Sequence, residues 1–64
     1  MKTEAIFVIN EQKKTVALCR EEGMTGDWKT DPKSKISNSM YINYSALTNK
    51  TPGAKIKVTI EEIE

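Results

Sequence analysis

The residue types that ordinarily carry catalysis are scarce in this 64-residue chain. It contains no histidine and a single cysteine, Cys19, so neither a serine nor a cysteine nucleophile has its usual base. Cys19 lies in an alternating stretch, where we expect a small buried hydrophobic residue. One thiol allows no internal disulfide, and an ordinary zinc site would need histidines or more thiols. We therefore predict a non-enzymatic protein without metal or cofactor, in a reducing cytoplasmic compartment.

The acidic residues show no spacing that points to acid–base chemistry. Those that lie close together in sequence form three groups: Glu21 with Glu22, Asp27 with Asp31, and Glu61 with Glu62 and Glu64. Neighbouring residues on a strand point to opposite faces, so adjacent glutamates do not converge. The two aspartates lack the spacing and the glycine of a calcium loop. We expect all of them to be solvated surface charges, and we expect the Gly-x-x-Gly stretch at residues 23–26 to be a flexible bend.

Basic and aromatic residues mix in the middle of the chain, and this favours a binding function. Residues 29–57 hold six lysines and one acidic residue, a net charge of +5, although the whole chain carries only +1. Lysines neutralise phosphate, and aromatic rings stack on bases. The candidate ligand-binding residues are Trp28, Lys29, Lys33, Lys35, Tyr41, Asn43, Tyr44, Lys55 and Lys57.

Two conditions apply to this candidate site. Lys55 and Lys57 would lie beside the other residues if the third and fourth strands pair. Tyr41 and Tyr44 are three residues apart, so on a strand they face opposite sides and only one of them is expected to be exposed. The leading prediction is a module that captures an anionic partner: a nucleotide, a single-stranded nucleic acid or an acidic protein surface. The alternative is a small protein-binding inhibitor or adaptor that acts by strand addition or through a loop anchored on Trp28.

The elements that must position these residues follow a two-residue period. Five consecutive apolar residues, 5–9, predict a strand buried on both faces. The alternation of Val16 and Leu18 with Ala17 and Cys19 predicts its antiparallel neighbour. A polar turn at residues 10–13 would join the two strands into a first hairpin over residues 3–20.

The rest of the chain predicts two further strands. A long irregular loop is expected over residues 21–35, with Gly23 in a turn or bulge, and a third strand over 38–47. A short helix capped by Ser39 competes with this strand; we choose the strand, with a helical turn around Ser45–Leu47. Pro52-Gly53 predicts a type II turn before a fourth strand over 54–63. Ile63 is out of phase, so either a bulge lies near residues 61–62 or the strand has already ended.

We therefore predict one all-β domain over residues 1–64, a small antiparallel sheet of about four strands arranged as a curled meander or partly open barrel. A chain of this length buries only about 60% of the surface that it exposes when unfolded. Small domains often gain stability from a disulfide, a metal or a partner subunit, and the sequence offers neither of the first two. A homo-oligomer is therefore expected. No apolar stretch reaches the roughly 18 residues needed to span a membrane.

Overall fold

The computed structural model describes residues 1–24 and 33–63, and four antiparallel strands form one strongly curled sheet, a half-barrel. The strands are β1 (Lys2–Gln12), β2 (Val16–Glu21), β3 (Ser39–Asn43) and β4 (Lys55–Glu61). Their order across the sheet is β3-β2-β1-β4. The prediction of an all-β fold is confirmed. Trp28, Lys29 and most of the predicted loop 21–35 lie outside the described residues, whereas Glu21 still belongs to β2.

The core lies on the concave face of the half-barrel. Ala5, Phe7 and Ile9 of β1 and Ala17 and Cys19 of β2 are at most 7% exposed. Half-buried side chains from the outer strands and the connections pack against them, namely Ile36, Met40, Ile42, Tyr44, Leu47, Ala54, Ile56 and Val58. The predicted alternation of β2 is confirmed. Burial raises the pKa of the Cys19 thiol above its ordinary value, as expected of a small hydrophobic side chain without a partner charge.

The convex face is only partly covered, which corrects one expectation about β1. Ile6 is 38% exposed and Val8 is half-buried, so the prediction that β1 is buried on both faces is wrong. Within the part of the chain that the structure describes, the sheet is a single layer, and its core cluster lies on the concave side. The run of apolar residues therefore correctly predicted the strand β1, which is central in the sheet, but it did not mean that both faces of β1 are buried.

The turn of the first hairpin lies three residues later than predicted. Residues 10–12 continue β1, and the turn at residues 13–15 is closed by the Lys13 N–H, which donates to the Val16 carbonyl at 2.8 Å. The register shifts between Ile9 and Glu11, the position of a β-bulge. Asn10 is the extra residue of the bulge, and beyond it the polar residues Glu11 and Gln12 pair with β2. The end of the apolar run was therefore not the end of the strand.

Glycine residues form the turns after β2 and before β4 where the sequence predicts them. Gly53 has φ 96° and the Ala54 N–H donates to the Thr51 carbonyl at 3.0 Å, which confirms the type II turn. Gly23, with φ 88°, occupies a similar turn directly after β2. β3 ends at Asn43 because a single 3-10 turn, Tyr44–Ala46, follows it. β4 ends at Glu61, and Ile63 is 91% exposed.

No helix in the described part of the chain is long and apolar enough to cross a membrane.

Candidate functional site

The structure divides the predicted anion-binding residues between the two edges of the sheet. β3 and β4 are the two edge strands, and β2 and β1 lie between them. They do not pair with each other, although the predicted site required this pairing to bring Lys55 and Lys57 beside the other residues. Tyr41 and Asn43 lie at one edge and Lys55 and Lys57 at the other, all four exposed on the convex face. Three inter-strand spacings of about 4.8 Å place the two pairs about 14 Å apart along the sheet. A single basic and aromatic cluster is therefore not assembled from these four residues.

Each lysine of β4 already faces a carboxylate. Lys55 Nζ lies 2.7 Å from Glu22 Oε2, and Lys57 Nζ lies 3.5 Å from Glu4 Oε2. The hydrogen bond to Glu22, with its charge, raises the pKa of Lys55. Both lysine side chains are more than 60% exposed, so solvent screens these ion pairs and they add little stability. Their effect is to offset the positive charge that the sequence places on this strand.

The two tyrosines have different environments, as predicted from their spacing. Tyr41 is 63% exposed. Tyr44 packs against the core, its hydroxyl donates to the Lys13 carbonyl, and Lys50 Nζ lies 4.9 Å from its ring centroid. The ring of Tyr44 therefore has a structural role and a cation over its face. Tyr41 is the tyrosine with an accessible ring.

The remaining lysines of the predicted site lie before β3. Lys33 and Lys35 are both exposed. Lys35 lines a small cavity of about 160 Å³ whose other walls are Ala5, Ile6, Glu21 and Glu22. This places Lys35 beside the middle of β1 and the C-terminal end of β2, away from Tyr41, whose partner on β2 is Leu18.

Glu21 contradicts the prediction that the acidic residues are solvated surface charges. It is only 6% exposed, not a solvated surface charge. Its carboxylate accepts hydrogen bonds from the main-chain N–H groups of Lys35 (3.0 and 3.1 Å) and Ile36 (2.9 Å) and from the Ser34 hydroxyl (3.2 Å). Burial alone would raise the pKa of Glu21, but these hydrogen bonds and one from the Ser37 main chain lower it below its ordinary value.

The consequence is that Glu21 fixes the segment that leads into β3. Glu21 N–H also donates to the carbonyl of Asn38, a buried residue, at 3.0 Å. A signal for this role was present in the sequence, because Glu21 continues the inward phase of Ala17 and Cys19. A carboxylate at an inward position requires donors, and residues 34–37 supply them.

Main-chain hydrogen bonds at both ends of β3 show which of its main-chain groups point toward β2. Glu21 N–H bonds to the Asn38 carbonyl, and Tyr44 N–H bonds to the Thr15 carbonyl at 3.2 Å. Bonded and non-bonded pairs alternate along an antiparallel ladder, so Met40 and Ile42 bond to β2. The intervening residues point their main-chain groups away from it.

The open edge of β3 is therefore formed by Ser39, Tyr41 and Asn43. Among the described residues no strand pairs with this edge. The Ser39 carbonyl accepts a hydrogen bond from the Ser37 hydroxyl at 2.7 Å. β3 carries no charged side chain. Such an edge is a template for another strand.

The open edge of β4 differs from that of β3 in its side chains. Ile9 N–H bonds to the Ala54 carbonyl at 2.8 Å, and Glu62 N–H bonds to the Met1 carbonyl at 3.1 Å. The inward residues of β4 therefore bond to β1. The main chain of the outward residues faces the open edge, and these are Lys55, Lys57, Thr59 and Glu61. Three of the four carry charged side chains.

Within the residues that the structure describes, no group of three His, Cys, Asp or Glu side chains is arranged to hold a metal ion. Scans against family models, curated proteins and solved structures give no match for this chain.

Proposed function

We propose that this protein is a small, non-enzymatic protein-binding module that captures an extended segment of its partner by strand addition to the β3 edge. The observation that supports the proposal is an uncharged edge strand on which the main chain of Ser39, Tyr41 and Asn43 faces away from β2 and pairs with no other strand among the described residues. Strand addition draws its affinity from such main-chain groups and its specificity from alternating side chains.

The side chains beside this edge define what the partner segment must offer. Main-chain hydrogen bonds contribute about 0.5–1.5 kcal/mol each after water is displaced, so apolar burial must add to them at about 25 cal/mol per Å². Met40 and Ile42 are half-buried on the concave side, and Tyr41 is exposed on the convex side. We expect a partner segment with an apolar residue at every second position, packed against Met40 and Ile42.

A random-peptide display library selected on the immobilised domain tests this proposal. Enriched peptides should show apolar residues at alternate positions and should bind in solution. Tyr41→Pro removes an N–H that points to the open edge while leaving the β2–β3 ladder complete, so it should abolish peptide binding. Tyr41→Thr keeps the N–H and should bind more weakly than wild type without losing binding.

The matched control lies on the opposite edge. Thr59→Pro makes the same kind of change in β4, where the N–H also faces outward, and it should leave peptide binding unchanged. The proposal fails if no peptide is enriched, or if Thr59→Pro and Tyr41→Pro reduce binding equally in variants whose folding is confirmed by circular dichroism.

Capture of an anionic partner through the lysine-rich middle is the competing proposal. Its support is the net charge of +5 over residues 29–57, and the distance between the two edges and the paired lysines of β4 weigh against it. Salt separates the two proposals, because phosphate-driven binding weakens steeply as salt rises, whereas binding through a main-chain edge and apolar contacts weakens little.

We also propose that the domain self-associates in a reducing cytoplasmic compartment. Its small size supports self-association, as does the 48% exposure of Ile60, an apolar residue on the concave face of β4. The single, buried Cys19 thiol supports the assignment to a reducing compartment, because thiols are kept reduced there. A solution mass above that of the monomer, in reducing buffer, is the expected result.

A further inference from the structure

We infer that the edge that joins two copies is β4, paired antiparallel with β4 of a second copy about a two-fold axis at Val58. The inference rests on the proposed self-association and adds the surface, the register and the contacts that hold it. It assigns different occupants to the two edges of the sheet: a partner segment at β3 and a second copy at β4.

The register follows from the main chain and the charges. Only the outward residues can form ladder bonds with a new strand, and these are Lys55, Lys57, Thr59 and Glu61. A two-fold axis at Ile56 or Lys57 would set lysine opposite lysine, which is unfavourable. An axis at Thr59 or Ile60 would leave Lys55 without a partner in β4. An axis at Val58 pairs all four outward residues, Lys55 with Glu61 of the second copy and Lys57 with Thr59 of the second copy.

Charge complementarity is therefore built into this one strand. Lys55 and Glu61 are six residues apart at its two ends, so the two-fold axis creates two identical ion pairs. Lys55 also lies 2.7 Å from Glu22 of its own chain, through a side chain that is 66% exposed. An exposed pair of this kind is screened by solvent, and a lysine carries three donors, so the contact to Glu22 does not exclude one to the second copy.

The concave side of β4 is complementary in the same register. An axis at Val58 sets Ile56 opposite Ile60 of the second copy and Val58 opposite its own counterpart. Ile56 and Val58 are half-buried and Ile60 is 48% exposed. Pairing would cover the apolar residue that β4 leaves most exposed, and burial of apolar surface favours association.

The lysines give this edge selectivity. Charged side chains on an edge strand deter pairing with an arbitrary strand, because a neutral or basic strand offers them no carboxylate. A second β4 supplies a carboxylate opposite Lys55 at each end of the pair. The same residues that exclude other strands therefore favour a copy of this chain.

Charge reversal tests the register directly. We expect the wild-type chain to sediment as a dimer in analytical ultracentrifugation, and Lys55→Glu and Glu61→Lys each to weaken the dimer by about tenfold or more, since each sets like charges opposite one another twice. The double variant with both changes should restore the wild-type dimer. Lys14→Glu, the same charge change in the exposed β1–β2 turn, should leave it unaffected.

Proline substitution tests which edge is used. Thr59→Pro removes an outward N–H of β4 and should give a monomer, whereas Tyr41→Pro should remain a dimer. A wild-type monomer at millimolar concentration overturns self-association altogether. If self-association holds but Tyr41→Pro breaks it, or the double charge reversal does not restore it, the β4 register is wrong. Peptide capture at β3 is measured independently of both outcomes.

Discussion

The two edges of this sheet are built from the same backbone geometry and differ in their side chains. β3 and β4 each pair on one side only among the described residues and leave the main chain of alternate residues facing outward. β3 has no charged residue, whereas β4 carries Lys55, Lys57 and Glu61 on its outward positions. The hydrogen-bonding groups are the same in every strand, so the side chains of an edge strand decide which other strands can pair with it.

The edges also differ in how they are held. β4 pairs along seven residues with the longest strand of the sheet, β1. β3 pairs along five residues with β2, and the segment that leads into it depends on the carboxylate of Glu21. We therefore expect β3 to be the more easily perturbed edge.

Truncation of the core should abolish both edges together. Phe7 is fully buried in β1, and its register partners are Glu21 on β2 and Ile56 on β4. Phe7→Ala should cost about 3–5 kcal/mol, a large part of the about 5–15 kcal/mol that stabilises a typical domain. Urea denaturation followed by circular dichroism measures the loss.

Val8→Ala is the control for this change, because Val8 is the next residue on β1 and lies half-buried on the convex face. It should cost clearly less than Phe7→Ala. Equal losses at the two positions would mean that the convex face is as well packed as the concave one, which would contradict the single-layer description.

Loss of the Glu21 carboxylate should separate the two edges. Glu21→Gln keeps the shape but weakens the charged hydrogen bonds to residues 34–36, at a cost of about 1–3 kcal/mol. Amide exchange measured by NMR should quicken in β3 more than in β4. Equal acceleration in both strands would contradict the view that Glu21 acts locally on β3.

The same residue predicts a pH dependence. The pKa of Glu21 is lower in the folded protein than its ordinary value, so the unfolded chain takes up its proton first as the pH falls. The stabilising contribution of Glu21 is complete above the ordinary pKa and is lost as the pH falls through the folded pKa. The stability difference between wild type and Glu21→Gln should therefore be largest near neutral pH and narrow in acid.

The sequence predicted the fold class because the later strands alternate with a two-residue period and the apolar run at residues 5–9 marks β1. The burial of Ala17 and Cys19, the outward lysines of β4 and the type II turn at Pro52-Gly53 all follow from local pattern and turn chemistry. Local pattern did not locate the first turn. A bulge after Ile9 carries polar residues into the ladder, and nothing in the apolar run announces it.

The candidate site was harder to predict because it depends on strand order. Tyr41 and the lysines of β4 belong to the same basic and aromatic stretch of the sequence, but they lie at opposite edges because β1 and β2 separate β4 from β3. The order of strands is a tertiary property, set by which faces bury most apolar surface. The number of charges along the chain carries no information about this order. Glu21 shows the converse, since its inward phase was visible while the donors at Ser34, Lys35 and Ile36 come from a distant segment.

A smaller effect is expected at the far end of β3. Tyr44→Phe removes the hydrogen bond from the tyrosine hydroxyl to the Lys13 carbonyl but keeps the ring against the core and beneath Lys50. The cost should be about 0.5–1.5 kcal/mol, measured by urea denaturation, with peptide binding at β3 retained. Loss of peptide binding without loss of stability would show that Tyr44 contacts the partner, and the boundary of the β3 edge would have to be extended.

The smallest effect on stability, and the sharpest contrast between charge and edge, is expected from Lys33→Gln combined with Lys35→Gln. Both side chains are exposed, and surface substitutions of this kind usually change stability by less than about 0.5 kcal/mol. β3 carries no lysine. If β3 captures its partner through the main chain, the double substitution should therefore change the affinity for a selected peptide by less than about twofold. Fluorescence anisotropy at low and high salt measures this. A large loss of affinity at low salt that disappears at high salt would instead identify the lysines as the binding surface, since only a charge-driven contact is screened in that way.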